Sequence, residues 1–451
     1  MNKVLTISKT NQSSVREIEW IKTVGINCVV VIPAIEEYEN IKYLLESLLQ
    51  LDNYYLDETV FLFVINNSDE ADEKIRRDNS ISLEFLRDII QKNETDSLAQ
   101  KIVNSNLNLG LIDATSPGRE IPIKTAGVGT ARKIGMDLAL SLFDYSDSSK
   151  KIIICLDADC TVEKDYLKVI KESFEQNDVE VAVIDYQHRV LNNSKNEEAI
   201  TSYEIFLRYY SFGLAYAGSP YSFHTIGSTI VCTEKAYKKI GGMNSKEAAE
   251  DFYFLQKLAK QFPVYRIYKT IVYPLARESW RVPFGTGRSI TDFNNSDKND
   301  FLIYDPEIFE ILKKWIELFE KSGFDSAEKI LNNAKSIHIG LTDFLRQRKF
   351  ELIWQNILDN SKSIVQLNRQ KLNWFDGFKT LKLVHYLRDN YFPLVDMYEA
   401  LNYFISKLNL PVILRDESKS ELEIQKTYLK FLKKAEKQLL LQSNKNLVID
   451  N

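Results

Sequence analysis

The sequence of 451 residues predicts an α/β fold in which a mixed, mostly parallel sheet has flanking helices and is followed by an all-α C-terminal region. Short, apolar, β-branched runs such as residues 60–65 alternate with amphipathic segments such as residues 36–50, which is typical of βαβ units. Beyond residue 295, long segments rich in Leu, Ile and Lys contain few glycines, which favours helices. We therefore expect two domains, residues 1–295 and residues 296–451.

The first two strands that we predict each end in a polar or rigid turn. Residues 27–33 form a buried apolar run that closes on Pro33, and residues 60–65 form another that closes on Asn66 and Asn67. Asn at a strand end favours a turn whose side chains form local hydrogen bonds.

A glycine-rich loop, residues 116–130, leads into a predicted helix whose apolar residues recur at a spacing of 3.6. Gly127 and Gly129 stand at its start, and Arg132 lies in its first turn. This arrangement suits an anion near the helix N-terminus. The alternative is ordinary turn chemistry, because Gly-x-Gly before a helix is common.

The central stretch of the predicted sheet is residues 151–160, which read KIIICLDADC. Its apolar run is too short for a helix and indicates a strand that is buried on both faces. Asp157 and Asp159 follow directly, where ligands of open α/β sheets bind. Two such carboxylates are stabilised by a divalent cation with oxygen ligands, whereas a solvated turn is the alternative.

Two further segments carry functional candidates. Residues 226–232 predict a strand with Gly227 near its start, where a ligand or backbone can approach closely. Glu250 and Asp251 lie in the first turn of a later helix, where acids also complement the helix dipole without any other role.

The loop of residues 276–290, ARESWRVPFGTGRSI, alternates arginine with aromatic residues and glycine. Its arginines, Arg277, Arg281 and Arg288, could close over phosphates, or the loop could be an ordinary connector between domains.

Composition and charge narrow the class of protein. The net charge of −5 leaves no global basic surface for nucleic acid or anionic lipid. The four cysteines form no C-x-x-C pair, which indicates reduced thiols and neither a disulfide framework nor a zinc site. The sequence contains no run of 18 apolar residues and no signal-type N-terminus. We expect a cytoplasmic protein without a nucleic-acid partner or a transmembrane span, and peripheral membrane contact stays open.

Taken in this order, the segments resemble glycosyltransferase family 2, over about residues 26–290. The segments that carry the resemblance are residues 33–37 (PAIEE), 66–68 (NNS), 127–132 (GVGTAR), 157–159 (DAD), 241–243 (GGM) and 250–251 (ED). The resemblance implies a GT-A type, Rossmann-like fold. It also implies an inverting enzyme that moves a sugar from a nucleotide-diphosphate donor to a hydroxyl acceptor in glycan or glycoconjugate synthesis, with Mg²⁺ or Mn²⁺ as cofactor.

The resemblance also implies a role for each site residue. Asp159 would bind the metal ion that bridges the diphosphate, Asp251 would be the general base, and Asp157 would help to hold the nucleoside. The other donor-binding candidates are Pro33, Ala34, Glu36, Asn66, Gly127, Arg132 and Glu250. Arg281 or Arg288 could add positive charge to the diphosphate or could bind an anionic acceptor, since arginine forms bidentate contacts with phosphate.

The sequence departs from the family's pattern at two strand ends. Glu36 stands where the family usually has Asn, and Asn66 and Asn67 stand where it has an Asp pair, so the choice of nucleotide stays open. The Gln-x-x-Arg-Trp motif of processive synthases is absent. Two alternatives remain: a non-catalytic nucleotide-sugar-binding protein, and a nucleotidyltransferase, against which the acidic, glycine-free turn after the first strand argues.

Overall fold

The computed structural model describes residues 5–6, 16–20, 25–176, 178–190, 194–244, 249–276, 302–409, 413, 416, 418–442 and 448–449. The chain divides into two compact units. We call Met1–Asn192, Thr225–Arg288 and Leu447–Asn451 the sheet unit, and Asn193–His224 and Ser289–Asn446 the helical unit. The boundary that we predict at residue 295 lies outside the described residues and stays a prediction.

The strands are, in chain order, β1 (Leu5–Thr6), β2 (Glu17–Trp20), β3 (Cys28–Ala34), β4 (Thr59–Asn66), β5 (Leu109–Ala114), β6 (Ile152–Cys155), β7 (Cys160–Val162), β8 (Val181–Tyr186), β9 (Ile230–Thr233), β10 (Tyr265–Pro274), β11 (Leu302–Ile303), β12 (Val395–Asp396) and β13 (Val448–Ile449).

The helices are α1 (Tyr38–Leu48), α2 (Glu73–Ile90), α3 (Ser97–Val103), α4 (Val128–Ala139), α5 (Tyr166–Gln176), α6 (Ser194–Tyr216), α7 (Glu234–Lys239), α8 (Glu250–Ala259), α9 (Pro306–Lys321), α10 (Ala327–Ile337), α11 (Ile339–Gln347), α12 (Phe350–Asp359), α13 (Ile364–Trp374), α14 (Gly377–Asn390), α15 (Met397–Lys407) and α16 (Glu421–Gln442).

The sheet unit contains one large sheet in the order β1-β2-β5-β4-β3-β6-β9-β8-β10-β13, and β7 pairs with β10. Strands β3, β4, β5, β6, β8 and β10 run in one direction, whereas β2, β7 and β9 run in the other. The central strands β3, β4 and β6 are buried along their whole length. The prediction of a mixed, mostly parallel sheet is therefore confirmed, and β5 is a strand that our sequence analysis did not predict.

Helix α4 lies unusually close to the sheet because Gly135 has no side chain. A Cβ atom at this position would lie 2.4 Å from Cγ1 of Val31 in β3 and 2.9 Å from Cγ2 of Val64 in β4. The close approach fixes α4 over β3 and β4, and its N-terminal turn follows the loop that leaves the carboxyl end of β5.

The helical unit confirms the prediction of a helical C-terminal region. It contains α6 and α9 to α16 around a core rich in aromatic residues, with Trp315 and Trp354 fully buried. A short antiparallel pair, β11 with β12, is the exception to its helical character. Among the described helices, none combines the length and the apolarity that a bilayer span requires.

We predict that Gly135→Ala destabilises the sheet unit, because overpacking of this kind costs roughly 1–3 kcal/mol. Denaturant unfolding should show a lower midpoint with an unchanged slope. Val31→Ala in the same chain removes the nearest clashing atoms, so the double variant should lose less stability than the sum of the two single changes. Simple additivity of the two changes would contradict the close approach of α4.

Candidate active site

The predicted site residues meet at one edge of the sheet. Strands β4, β3 and β6 are neighbours and parallel, so their carboxyl ends lie side by side. This edge carries Asn66 at the end of β4, Pro33 near the end of β3, and Asp157 just after β6. Pro33 is tolerated in a central strand because the pairing of β3 with β6 ends at Val31.

The turn after β3 has a strained backbone at Glu36, where φ is 54° although the residue is not glycine. A buried asparagine supports this conformation, because the Glu36 N–H donates to Oδ1 of Asn79 at 2.9 Å. The Glu36 carboxylate forms an ion pair with Lys74. Strained residues of this kind are often found beside ligand sites, because the surrounding structure must hold them in place.

Asn66 ties the ends of β3 and β4 together. Its side chain is 4% exposed, and its amide donates to the carbonyl oxygen of Ala34 at 2.9 Å. Asn67 is also buried and bonds with Thr115 and with Asn79. The asparagine pair therefore stabilises the edge at which the donor is predicted to bind.

Asn79 of α2 is a residue that the sequence analysis missed. It is 1% exposed and donates to the carbonyl oxygen of Asn66 at 2.9 Å and to Oδ1 of Asn67 at 3.0 Å. A weak signal for it exists in the sequence, because this polar residue lies one helical turn after Ile75 and before Leu83, on the apolar stripe of α2.

Helix α4 begins at Gly127, whose φ of 150° favours glycine. No described side chain caps this helix. The N–H of Thr130 donates to the Gly127 carbonyl oxygen at 3.1 Å. An anion would meet the N–H groups before it, and anion binding at this helix start stays a prediction.

Arg132 joins two carboxylates from different elements. Its Nη2 donates to Oδ1 of Asp157 at 2.6 Å, and its Nη1 donates to Oε1 of Glu250 at 2.8 Å. The arginine side chain is 1% exposed, that of Glu250 is 8% exposed, and that of Asp157 is 34% exposed. Burial alone would lower the pKa of Arg132, but the charges of Asp157 and Glu250 outweigh it and raise this pKa.

Gly227 makes room for this guanidinium. A Cβ atom at Gly227 would lie 2.6 Å from Nη2, 2.8 Å from Nη1 and 2.9 Å from Cζ of Arg132. The sequence pattern predicts a close approach at this glycine, and the neighbour is the Arg132 side chain.

Asp251 follows Glu250 in the first turn of α8 and is partly exposed. The surrounding protein atoms displace much of the water around the Asp251 carboxylate, and this desolvation raises its pKa to about 7. The negative charge of Glu250 adds to the effect, whereas the positive charge of Arg132 opposes it. A carboxylate with a raised pKa is suited to accept a proton near neutral pH.

Asp159 lies two residues beyond Asp157 and is partly exposed. Within the described part of the chain, no three His, Cys, Asp or Glu side chains converge as a metal site made by protein alone. Asp159 is the carboxylate that the sequence predicts as the metal ligand, and this role stays a prediction.

The structure thus brings Arg132, Asp157 and Glu250 into direct contact, and it places Ala34 and Asn66 in contact on the neighbouring strand ends. Arg277, Arg281 and Arg288 lie outside the described residues. The ligand roles of all these residues stay predictions.

The model of the family described as "Glycosyl transferase family group 2" matches residues 152–414. The chain therefore belongs to this family, and the prediction of a family 2 glycosyltransferase is confirmed. No curated protein matches the chain.

The solved structures to which the chain is similar share little sequence with it. TarS 1–349 from S. aureus in complex with UDP-GlcNAc is 12% identical, with 77% of this chain and 90% of that chain covered and a TM-score of 0.38. The mannosyltransferase PcManGT from Pyrobaculum calidifontis, in complex with GDP-Man and Mn²⁺, is 12% identical, with 93% and 88% covered and a TM-score of 0.34.

We predict that Asn79→Ala destabilises the protein by about 1–3 kcal/mol, because it leaves buried polar partners unsatisfied. Ser82→Ala is the matched control. Ser82 is equally buried on the same helix, and its hydroxyl makes no hydrogen bond with the described residues, so its loss should be neutral or stabilising. Equal denaturation midpoints for the two variants would contradict the role of Asn79.

We predict that Asp251→Asn changes how stability depends on pH. The folded-state pKa of Asp251 lies above the usual value of 3.8, so the folded protein holds this proton more tightly than the unfolded chain does. The tighter binding of this proton stabilises the folded protein fully below pH 3.8, and this stabilisation is lost as the pH rises through about 7. The variant should therefore gain melting temperature relative to the wild type at pH 8 but not at pH 4. A constant difference across this range would contradict the raised pKa.

Proposed function

We propose that the protein is an inverting, metal-dependent glycosyltransferase that moves a sugar from a nucleotide-diphosphate donor to a hydroxyl acceptor. The observation that carries this proposal is the contact of Arg132 with both Asp157 and Glu250. It holds the N-terminus of α8, and with it Asp251, beside the edge that carries the Asp-x-Asp motif.

The donor would bind along the carboxyl ends of β4, β3 and β6. The turn of Pro33, Ala34 and Glu36 and the side chain of Asn66 would contact the base and ribose. Asp157, which is partly exposed, would contact the nucleoside, and the uncapped start of α4 at Gly127 would face the phosphates. Arg281 and Arg288 would add positive charge to the diphosphate, since arginine forms bidentate contacts with phosphate.

The residues present fit a divalent cation that arrives with the donor. With all groups ionised, the carboxylates of Asp157, Asp159, Glu250 and Asp251 and the guanidinium of Arg132 sum to a formal charge of −3. Asp159 is partly exposed and would hold Mg²⁺ or Mn²⁺. Such an ion acts as a Lewis acid that neutralises charge on the leaving group.

Asp251 would act as the general base. Its carboxylate takes the proton from the acceptor hydroxyl as the acceptor oxygen bonds to the anomeric carbon. The bond from that carbon to the diphosphate oxygen breaks on the opposite side, and its electron pair leaves with the nucleoside diphosphate. One displacement of this kind inverts the anomeric centre. A pKa of about 7 gives Asp251 both a sufficient ionised fraction and a useful basicity near neutral pH.

Membership of the glycosyltransferase family supports a role in cell-surface or other glycan synthesis. The asparagine pair at positions 66 and 67 leaves the base of the donor open, so donors with different bases belong in the same screen. UDP-GlcNAc and GDP-Man are suitable first probes.

We predict that Asp251→Asn abolishes sugar transfer but keeps the stabilisation by the donor. A tenfold to hundredfold excess of donor over Kd should stabilise the folded protein by about 1.4–2.7 kcal/mol, and melting curves with donor and Mn²⁺ measure this effect. Asp159→Asn should lose the part of the stabilisation that EDTA removes from the wild type.

Asp178→Asn is the matched control for both variants, because Asp178 is exposed and precedes β8, at the opposite edge of the sheet. It should behave as the wild type in transfer and in melting. Donor-dependent stabilisation without transfer to any acceptor by the wild type would favour the non-catalytic alternative. Transfer by Asp251→Asn at the wild-type rate would refute its role as the base.

A further inference from the structure

Arg132 and Glu250 are poorly placed to touch a substrate. Their side chains are 1% and 8% exposed, and they bond to each other at 2.8 Å. The second terminal nitrogen of Arg132 donates to Asp157 at 2.6 Å. Because both side chains are buried, a nucleotide could reach them only after the surrounding residues move, and such a movement would break buried, charge-assisted hydrogen bonds.

The position of the guanidinium is fixed from three sides. Gly135 lets α4, which carries Arg132, lie against β3 and β4. Gly227 lets the backbone before β9 lie against the guanidinium itself. On the third side lie the carboxylates of Asp157, just after β6, and of Glu250, at the start of α8. A shift of any of these elements would be transmitted to Glu250 and to the adjacent Asp251.

Arg132 and Glu250 also define the charges around Asp251. The negative groups that act on it are Glu250 and Asp157, and the positive group is Arg132. The backbone N–H of Phe252 donates to Oδ1 of Asp251 at 2.7 Å, which orients the carboxylate. Because Arg132 and Glu250 have opposite effects on the same carboxylate, removing one or the other should change its basicity in opposite directions.

We propose that Arg132 and Glu250 are positioning residues, which hold Asp251 against the Asp157 side of the site and balance its charge without contacting the substrate. This inference rests on the proposed role of Asp251 as the general base. It differs from the donor-binding role that the sequence resemblance implies for the two residues.

The test is the pH dependence of kcat/KM for sugar transfer, whose acidic limb reports ionisation of the base in the free enzyme. Glu250→Gln keeps an oxygen that can accept from Arg132 but removes a negative charge, so the limb should move to lower pH by about half to one unit. Arg132→Gln should move the limb to higher pH.

Arg132→Gln alone leaves two carboxylates without their partner and could fail to fold. The double variant Arg132→Gln, Glu250→Gln removes one charge of each sign, so it should fold better than Arg132→Gln and return the acidic limb towards that of the wild type.

Gly227→Ala keeps every charge but displaces the guanidinium, and it should lower kcat. Lys133→Gln is the matched control, because Lys133 is the next residue of α4, is paired only with Asp137 in the described residues, and should leave the limb unchanged.

Titration with UDP and with GDP completes the test. A positioning role predicts that Glu250→Gln keeps the Kd of the nucleotide that the wild type binds, within about threefold. A large rise in Kd with an unmoved limb would overturn the inference and favour direct donor contact. An unmoved limb with unchanged Kd would overturn it as well. Full activity of Asp251→Asn would instead refute the proposed base, so the two failures are distinguishable.

Discussion

A buried guanidinium requires carboxylates within reach, and this constraint organises the site. Arg132 has lost its contact with water and is compensated by Asp157 and Glu250. Removing Arg132 would leave the buried carboxylate of Glu250 without its cation, which is far more costly than the loss of a surface ion pair. The pair thus fixes the start of α8 relative to the end of β6, and the chemistry proposed for Asp251 depends on this fixed geometry rather than on any property of aspartate alone.

The parallel arrangement of β4, β3 and β6 could be predicted from sequence because their residues are almost continuously apolar and β-branched, which is typical of strands buried on both faces. Strand β5 was missed because Leu109–Ala114 includes Gly110 and Asp113, and this interrupts the apolar pattern. In the fold, Gly110 accommodates Leu62 of the neighbouring strand, and the buried Asp113 carboxylate pairs with Arg87. Both are tertiary effects that local propensity does not contain.

The candidate site could be predicted as a set of motifs but not as a network. The Asp-x-Asp and Glu-Asp motifs identify carboxylates by their place in the order of segments, and Gly227 could be recognised as a point of close approach. That the approaching group is Arg132 depends on partners 25 and 118 residues away in the chain. Asn79 shows the same limit, since its four polar partners lie at or just beyond the ends of β3, β4 and β5.

Glu250 and Arg132 are in contact in the fold but lie far apart in the sequence, and this matters during synthesis of the chain. A chain that emerges from the ribosome presents Arg132 and Asp157 well before residue 250 is available, because 118 residues separate the two members of the ion pair. Until α8 arrives, the guanidinium has one of its two carboxylates and must keep part of its hydration. The contact between α4 and the start of α8 is therefore a long-range one, which closes a large loop and cannot form before residue 250 has been synthesised.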